Sequence, residues 1–360
     1  MTALKNVRPS GIFASGTQIT VGSHKVKVVR YLSDGGFANV YVVQVIKPLE
    51  GPRWAVLKRI AIATKEALKT ARTEVESMKR LCGQKHIVTY FDSHASHLKH
   101  GGYEVFLLME YCSGGGLIDL MNARLQNRLI EPEILKILND VVEGVACMHY
   151  LDPPLIHRDL KIENVLIASA NCYKICDFGS CAQIQDAGDT ASDCLEIEED
   201  IQKNTTLQYR SPEMVDVYQN RPINEKSDIW ALGVLLYKMC FYTTPFEAQG
   251  SLAILNADFT FPTTPQFSVR LRRLIKSMLS ERLHDRPTIY QVLKEICLMR
   301  GKTVSIRDVR ILTFSADLFR FMEILSTRVQ KSLHHLCFRC NQGRLKNCLW
   351  CLFQYQKFPR

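Results

Sequence analysis

The sequence predicts an α+β fold of two lobes: a small β-rich N-lobe with one main helix, and a larger helical C-lobe, followed by a C-terminal tail. Three observations predict it. Short β-branched and aromatic runs, some alternating, fill the stretch from Val26 to Ile60. From residue 117 onward apolar residues recur at helical spacing instead. Beyond residue 298 the charge changes, with 11 Lys plus Arg against 3 Asp plus Glu in 301–360, but 35 against 33 in 1–300.

At 360 residues the chain suits one two-lobed domain with extensions. Hydrophobic residues at 46% and charged residues at 23% exclude a disordered or fibrous chain. The longest apolar run, Ile229–Tyr237, falls well short of the roughly 20 residues that span a bilayer. Met1 to Lys5 carry neither the apolar core of a secretory signal nor the Gly that myristoylation needs, so a cytoplasmic protein is expected. Nine of the 13 cysteines are scattered singly between Cys82 and Cys297, which predicts free thiols. The net charge of +10 lies mostly in the tail, so the nearly neutral body predicts no nucleic-acid partner.

Residues 1–25 read as a flexible lead-in, rich in Gly, Ser and Thr without periodicity. A hairpin follows, with Val26, Val28 and Val29 before the turn Ser33-Asp34-Gly35-Gly36 and a β-branched return to Val43. Gly35 and Gly36 at its tip let backbone amides approach phosphate oxygens, and Phe37 is placed to cover them. The strand Trp54–Ile60 carries Lys58 inside an apolar run, where an unpaired ammonium would be costly. The helical stretch from Glu66 to Leu81 offers Glu74 as its partner, on one face with Met78 and Leu81, while Glu76 points about 200° away into solvent.

The run Val105–Cys112 ends abruptly at Ser113-Gly114-Gly115-Gly116 and reads as the link between N-lobe (26–110) and C-lobe (113–298). Backbone groups near Glu110 and Cys112 are expected to bond an adenine edge, with Met109 limiting the depth of the pocket. Residues 117–151 read as helical, with Leu135, Leu138, Val142 and Val145 spaced for burial. Residues 180–204 read as a long polar loop holding Glu196, Glu198, Glu199 and Asp200, either a solvated face or a carboxylate partner for Arg158. Ser227 to Gly233 opens a helix buried on all sides, and Glu213 is expected to pair with Arg286.

The chemistry concentrates in His157-Arg158-Asp159-Leu160-Lys161-Ile162-Glu163-Asn164. Phosphoryl transfer needs a carboxylate at the attacking hydroxyl, cations on the phosphates and oxygen ligands for Mg²⁺. Asp159 fits the first role, Lys161 and Lys58 the second, and Asn164 with Asp177 the third. Asp177 opens Asp-Phe-Gly eighteen residues after Asp159 and thirteen after Asn164, which makes a weak tripeptide strong. In the Ser/Thr-directed kinases that these residues resemble, a hydroxyl placed like that of Thr206, three before Tyr209, bonds both Asp159 and Lys161, which together with Lys161 itself favours aliphatic hydroxyl acceptors over tyrosine. Asp228 is expected to hold the loop's backbone, Phe178 to pack on His157, and Arg158 to take the regulatory position.

These residues resemble the eukaryotic protein kinases over residues 26–298, with Lys58, Glu74, Asp159, Asn164, Asp177, Glu213, Asp228 and Arg286 in the family's order. The two-lobed protein kinase fold, ATP and Mg²⁺ are what that resemblance implies, with Gly35, Gly36, Val40, Val56, Met109, Glu110, Cys112 and Leu166 joining Lys58 at the nucleotide. The glycine loop is imperfect, with Ser33 and Ala38 in two glycine positions, and Val56 stands where most kinases have Ala. Gly35-Gly36-Phe37-Ala38, Tyr103–Cys112, Met121–Leu129 and Lys203–Glu213 are similar to the actin-regulating kinases of fungi, in the numb-associated kinase group. That similarity implies a Ser/Thr kinase of endocytic adaptors and actin-patch regulators, favouring Thr followed by Gly, at the cell cortex; the alternative is a catalytically silent scaffold of the same fold. A monomer is expected.

The tail (299–360) departs from those kinases, which carry proline-rich segments there, since 301–360 hold only Pro359. Phe314, Leu318, Phe321, Leu325, Val329, Leu333 and Leu336 predict a basic amphipathic helix suited to peripheral contact with an anionic membrane. Cys337, Cys340, Cys348 and Cys351 leave three readings open: a four-thiolate Zn²⁺ site, reversible acylation beside that helix, or a divergent terminus without a role.

Overall fold

The alternating stretches of the first third become one antiparallel sheet. A computed structural model describes residues 11–35, 38–46, 53–98, 101–184, 190–247 and 250–306. Strands β1 (Gln18–Val21), β2 (His24–Gly35), β3 (Ala38–Val45), β4 (Trp54–Ile62), β5 (Tyr90–His97) and β6 (Tyr103–Glu110) stand in the order β1-β2-β3-β4-β6-β5. Period two sorts the residues of β4: Ala55 and Leu57 are fully buried beneath Val21, Tyr41 and Phe106, while Val56, Lys58 and Ile60 line the opposite face. Helix α1 (Lys65–Arg80), capped by Thr64 through Ala67 N–H, packs Leu68 and Ala71 against Ile62 and Val105.

The flexible lead-in is corrected in part. Gln18–Val21 pairs with β2, and the Phe13 ring lies tilted 5.5 Å from that of Tyr41, so the N-lobe reaches well upstream of residue 26. Four residues with one fully buried side chain are too short a strand to show periodicity. Gly36, Phe37 and residues 307–360, with the expected amphipathic helix and the four cysteines, lie outside the described residues.

The C-lobe is helical: α2 (Leu117–Ala123), α3 (Glu131–His149), then short strands β7 (Leu155–Ile156), β8 (Val165–Ser169), β9 (Cys172–Ile175) and β10 (Ala182–Gln183), then α4 (Ala191–Asn204), α5 (Pro212–Val215), α6 (Glu225–Phe241), α7 (Gly250–Leu255), α8 (Val269–Met278) and α9 (Ile289–Met299). The single helical stretch expected over 117–151 is two helices, because Pro132 is suited to the first turn of a new helix and not to the interior of a long one.

The polar loop expected over 180–204 is also corrected. Its second half is α4, opened by Thr190, whose hydroxyl accepts from Asp193 N–H while Asp193 accepts from Thr190 N–H. Cys194 and Ile201 bury against Ile156, Met214 and Val217. Helix α6 is apolar on all sides, as expected, and runs through the core with Trp230, Leu232 and Leu236 fully buried. A Cβ on Gly233 would lie 2.9 Å from Leu279 Cδ2 and 3.0 Å from Met278 Cβ, so a larger residue would make the end of α8 shift. Among the described residues no helix is long and apolar enough to cross a membrane, and the nine cysteines there are free thiols, as expected.

Candidate active site

The strand β4, helix α1 and the segments following β7 and β9 bring their polar residues to one cavity of about 580 Å³, lined by Lys58, Glu74, Asp159, Lys161, Asp177, Gly179 and Thr206 among others. Lys58 Nζ is 2.7 Å from Glu74 Oε1 and 3.2 Å from Asp177 Oδ1. One ammonium thus serves two carboxylates. Burial alone would pull the Lys58 pKa down, but Asp177 and Glu74 together push it up. The Lys58 charge holds the Asp177 carboxyl below its usual range. Glu74, buried and facing Asp177 as well, is pushed up despite its bond to Lys58. Glu76 is exposed, as its place on the helix predicts.

The loop after β7 is held from beneath by Asp228 at the start of α6. Its Oδ2 accepts from His157 N–H and its Oδ1 from Arg158 N–H, both at 2.9 Å, and His149 Nε2 lies 2.9 Å from Oδ2. Burial works to raise the Asp228 pKa, yet the His149 contact, the nearby imidazole charges and the amide keep it below the ordinary carboxylate value. The grip is needed because Arg158 sits at φ 66°, a left-handed conformation that costs a non-glycine residue about 1–3 kcal/mol. Asp177 is likewise left-handed, at φ 64°. Phe178 is fully buried and its ring stands 5.6 Å from that of His157.

The reacting end is compact. Thr206 Oγ1 donates to Asp159 Oδ1 at 2.7 Å and accepts from Lys161 Nζ at 2.9 Å, while Lys161 pairs with Asp159 Oδ2 at 2.7 Å. Thr206 marks where an aliphatic hydroxyl fits against the carboxylate. Asn164 Nδ2 donates to the Asp159 backbone carbonyl at 2.8 Å, which commits its amide nitrogen and leaves Oδ1 as an acceptor. With Asp177, half exposed in the cavity, it supplies the oxygen donors that a hard cation such as Mg²⁺ takes.

Arg158 meets a carboxylate, and it is Asp200 on α4; Nε also donates to Ser180 O at 2.6 Å. Of the other acidic residues, Glu198 accepts from Tyr218 and Glu196 and Glu199 are exposed. Glu213 and Arg286, both fully buried, form a two-pronged pair at 2.7 and 2.8 Å.

The residues expected at the base of the nucleotide lie outside that cavity's lining but on its flanking strands. Val40 stands opposite Lys58, Val56 opposite Met109, and Leu166 opposite Gly116. Cys112 is buried, which pushes its thiol up to about 12. Beyond the backbone role expected of it, Glu110 accepts through its side chain from Lys174 Nζ at 2.6 Å and from Thr89, fastening β6 to β9. The roles of Lys174 and His149 carried no local sequence signal, since each depends on a partner distant in the chain, Glu110 and Asp228.

The protein kinase domain family matches residues 26–297. Actin-regulating kinase 1 of Saccharomyces cerevisiae is 51% identical over 305 residues, covering 84% of this chain and 48% of that protein. Serine/threonine-protein kinase ppk30 of Schizosaccharomyces pombe is 54% identical over 296 residues, 82% of this chain and 31% of that protein. Actin-regulating kinase PRK1 of S. cerevisiae is 50% identical over 310 residues, 85% and 38% respectively. The chain therefore spans half or less of the length of these relatives.

Proposed function

This chain belongs to the protein kinase family, and on that premise we propose that it is a serine/threonine kinase that transfers the γ-phosphate of ATP to endocytic coat and actin-patch proteins. The observation that carries the reading is Thr206, whose hydroxyl bridges Asp159 and Lys161 where an acceptor hydroxyl would sit. Two of the relatives are named actin-regulating kinases, which supports a connection with actin; action in the cytoplasm at the cell cortex is part of the same proposal.

The residues divide the labour. Asp159 accepts a hydrogen bond from the incoming hydroxyl and turns its oxygen toward the phosphorus. Lys161 balances charge at that oxygen, and Lys58, held by Glu74, orients the α- and β-phosphates. Asn164 and Asp177 would hold Mg²⁺, which supplies charge neutralisation on the phosphates. Val40, Val56, Leu166 and Met109 enclose the base, and the backbone near Glu110 and Cys112 bonds its edge. With radiolabelled ATP and a Thr-Gly peptide containing Gln, wild type transfers phosphate and Asp159→Ala loses essentially all turnover while keeping its thermal midpoint. Equal turnover in both would refute the assignment.

A further inference from the structure

Arg210 is a buried cation that the transfer chemistry above does not use. Its residue is 7% exposed, yet its guanidinium meets no carboxylate among its hydrogen-bond partners in the described residues. Nε donates to Thr205 Oγ1 at 2.7 Å, and Nη2 reaches Thr205 O at 3.1 Å, Ile201 O at 3.4 Å and Gln202 O at 3.5 Å. Those carbonyls are the end of α4. Thr205 leaves the helix in an extended conformation, φ −135° and ψ 159°, so no left-handed glycine closes it. The guanidinium adds a donor to the carbonyls at the helix end, Ile201 O already accepting from Thr205 N–H at 3.1 Å, and its charge faces the negative end of the helix dipole.

The same turn touches the catalytic loop twice. On one side Asp200 pairs with Arg158 and accepts from Asn204 Nδ2 at 2.6 Å. On the other, Thr206 presents its hydroxyl to Asp159 and Lys161. Thr205 lies between them, its hydroxyl donating to Ile201 O at 2.7 Å while accepting from Arg210. Arg210 itself stands on firm ground: Tyr209 and Ser211 beside it are buried, and Glu213 is locked to Arg286.

We propose that Arg210 is a positioning residue for phosphotransfer: its guanidinium clamps the last turn of α4 through Thr205, and so fixes where Thr206 and the acceptor site stand against Asp159. The proposal rests on the kinase reading above and adds to it the part that ties α4 to the reacting carboxylate.

A double-mutant cycle tests it, with Arg210→Gln, Thr205→Val and both together in the full chain, plus Arg210→Lys. Each is assayed for kcat, peptide KM and ATP KM, and by amide hydrogen exchange. Arg210→Gln lowers kcat by about 10- to 100-fold, the scale of a lost charge-assisted hydrogen bond, with ATP KM unchanged. Adding Thr205→Val costs little more, since both substitutions break one contact. Arg210→Lys keeps the charge but not the fork and recovers only part of the loss. Exchange rises at 201–206 and also at 157–164, leaving α9 unchanged. The proposal is overturned if the two single losses multiply, if only peptide KM changes, if Arg210→Lys equals wild type, or if the added exchange stops within α4. Should wild type transfer no phosphate, the kinase reading falls, and the exchange pattern still decides the role of Arg210.

Discussion

Replacing Asp200 by Asn tests whether a carboxylate on α4 does for Arg158 what a phosphate does in kinases switched on by modification. The change removes a charge and little volume. Arg158 has a side chain only 5% exposed and would keep one partner, the Ser180 carbonyl, while Asp200 is 37% exposed. A fully buried pair broken on one side costs about 3–5 kcal/mol and a surface pair about 0–1 kcal/mol. This half-buried one falls between, at about 1.5–3 kcal/mol. If the charge holds the segment in its competent arrangement, that loss lowers the competent fraction by about 10- to 100-fold. The assay is peptide phosphorylation by protein made in bacteria and shown by mass spectrometry to be unphosphorylated. Wild type is active, Asp200→Asn falls by that factor, and Glu199→Gln, exposed on the same helix, stays within about twofold. Wild type that is silent until a Ser or Thr is modified, or Asp200→Asn with full activity, would refute the reasoning.

Two further outcomes follow from buried charges elsewhere. Glu213→Ala strands the fully buried Arg286 guanidinium, so denaturant unfolding should show a loss of about 3–5 kcal/mol; a loss under about 1 kcal/mol would show that water reaches the site. Glu143 is held at about 2, below its usual 4.5, chiefly by the His86 ring, with Nε2 at 3.3 Å, and then, against the effect of burial, by Ser305 and Asn139. A carboxylate with a depressed folded pKa adds stability that is complete above its unfolded value and disappears as pH falls through the folded one. Wild type should therefore lose about 1–2 kcal/mol from this group between pH 4.5 and 2, allowing for partial exposure, and Glu143→Gln should flatten that part of the stability curve. An unchanged acid limb in the variant would show that the group does not contribute.

What the sequence revealed and what it hid divide along a physical line. Lys58, Asp159, Asn164 and Asp177 could be recognised because phosphoryl transfer constrains both their chemistry and their spacing, and a charge inside an apolar strand such as β4 is conspicuous. Helix α4 escaped notice because its charged residues outnumber its apolar ones, although Thr190 to Asp193 forms a helix-start signal and Cys194, Ile197 and Ile201 share one face. The break before α3 is marked by Pro132, a local signal that outweighs the helical periodicity on either side of it.

Arg210 was hidden for a different reason. Three of its four partners are backbone carbonyls, which every residue owns, so no choice of side chain at 201 or 202 could announce the contact, and the fourth, the Thr205 hydroxyl, is a common one. Spacing reads out interactions between chemically distinctive side chains, while those between a side chain and the backbone become visible only when the chain is folded. The reacting residues belong to the first kind, and the clamp proposed to hold Thr206 in register belongs mostly to the second, with the Thr205 hydroxyl as its one side-chain partner. A motif such as Thr206-Leu207-Gln208-Tyr209-Arg210 therefore specifies the acceptor site only together with the helix that precedes it. Grafting that segment without α4 should transfer the hydroxyl but not its placement against Asp159.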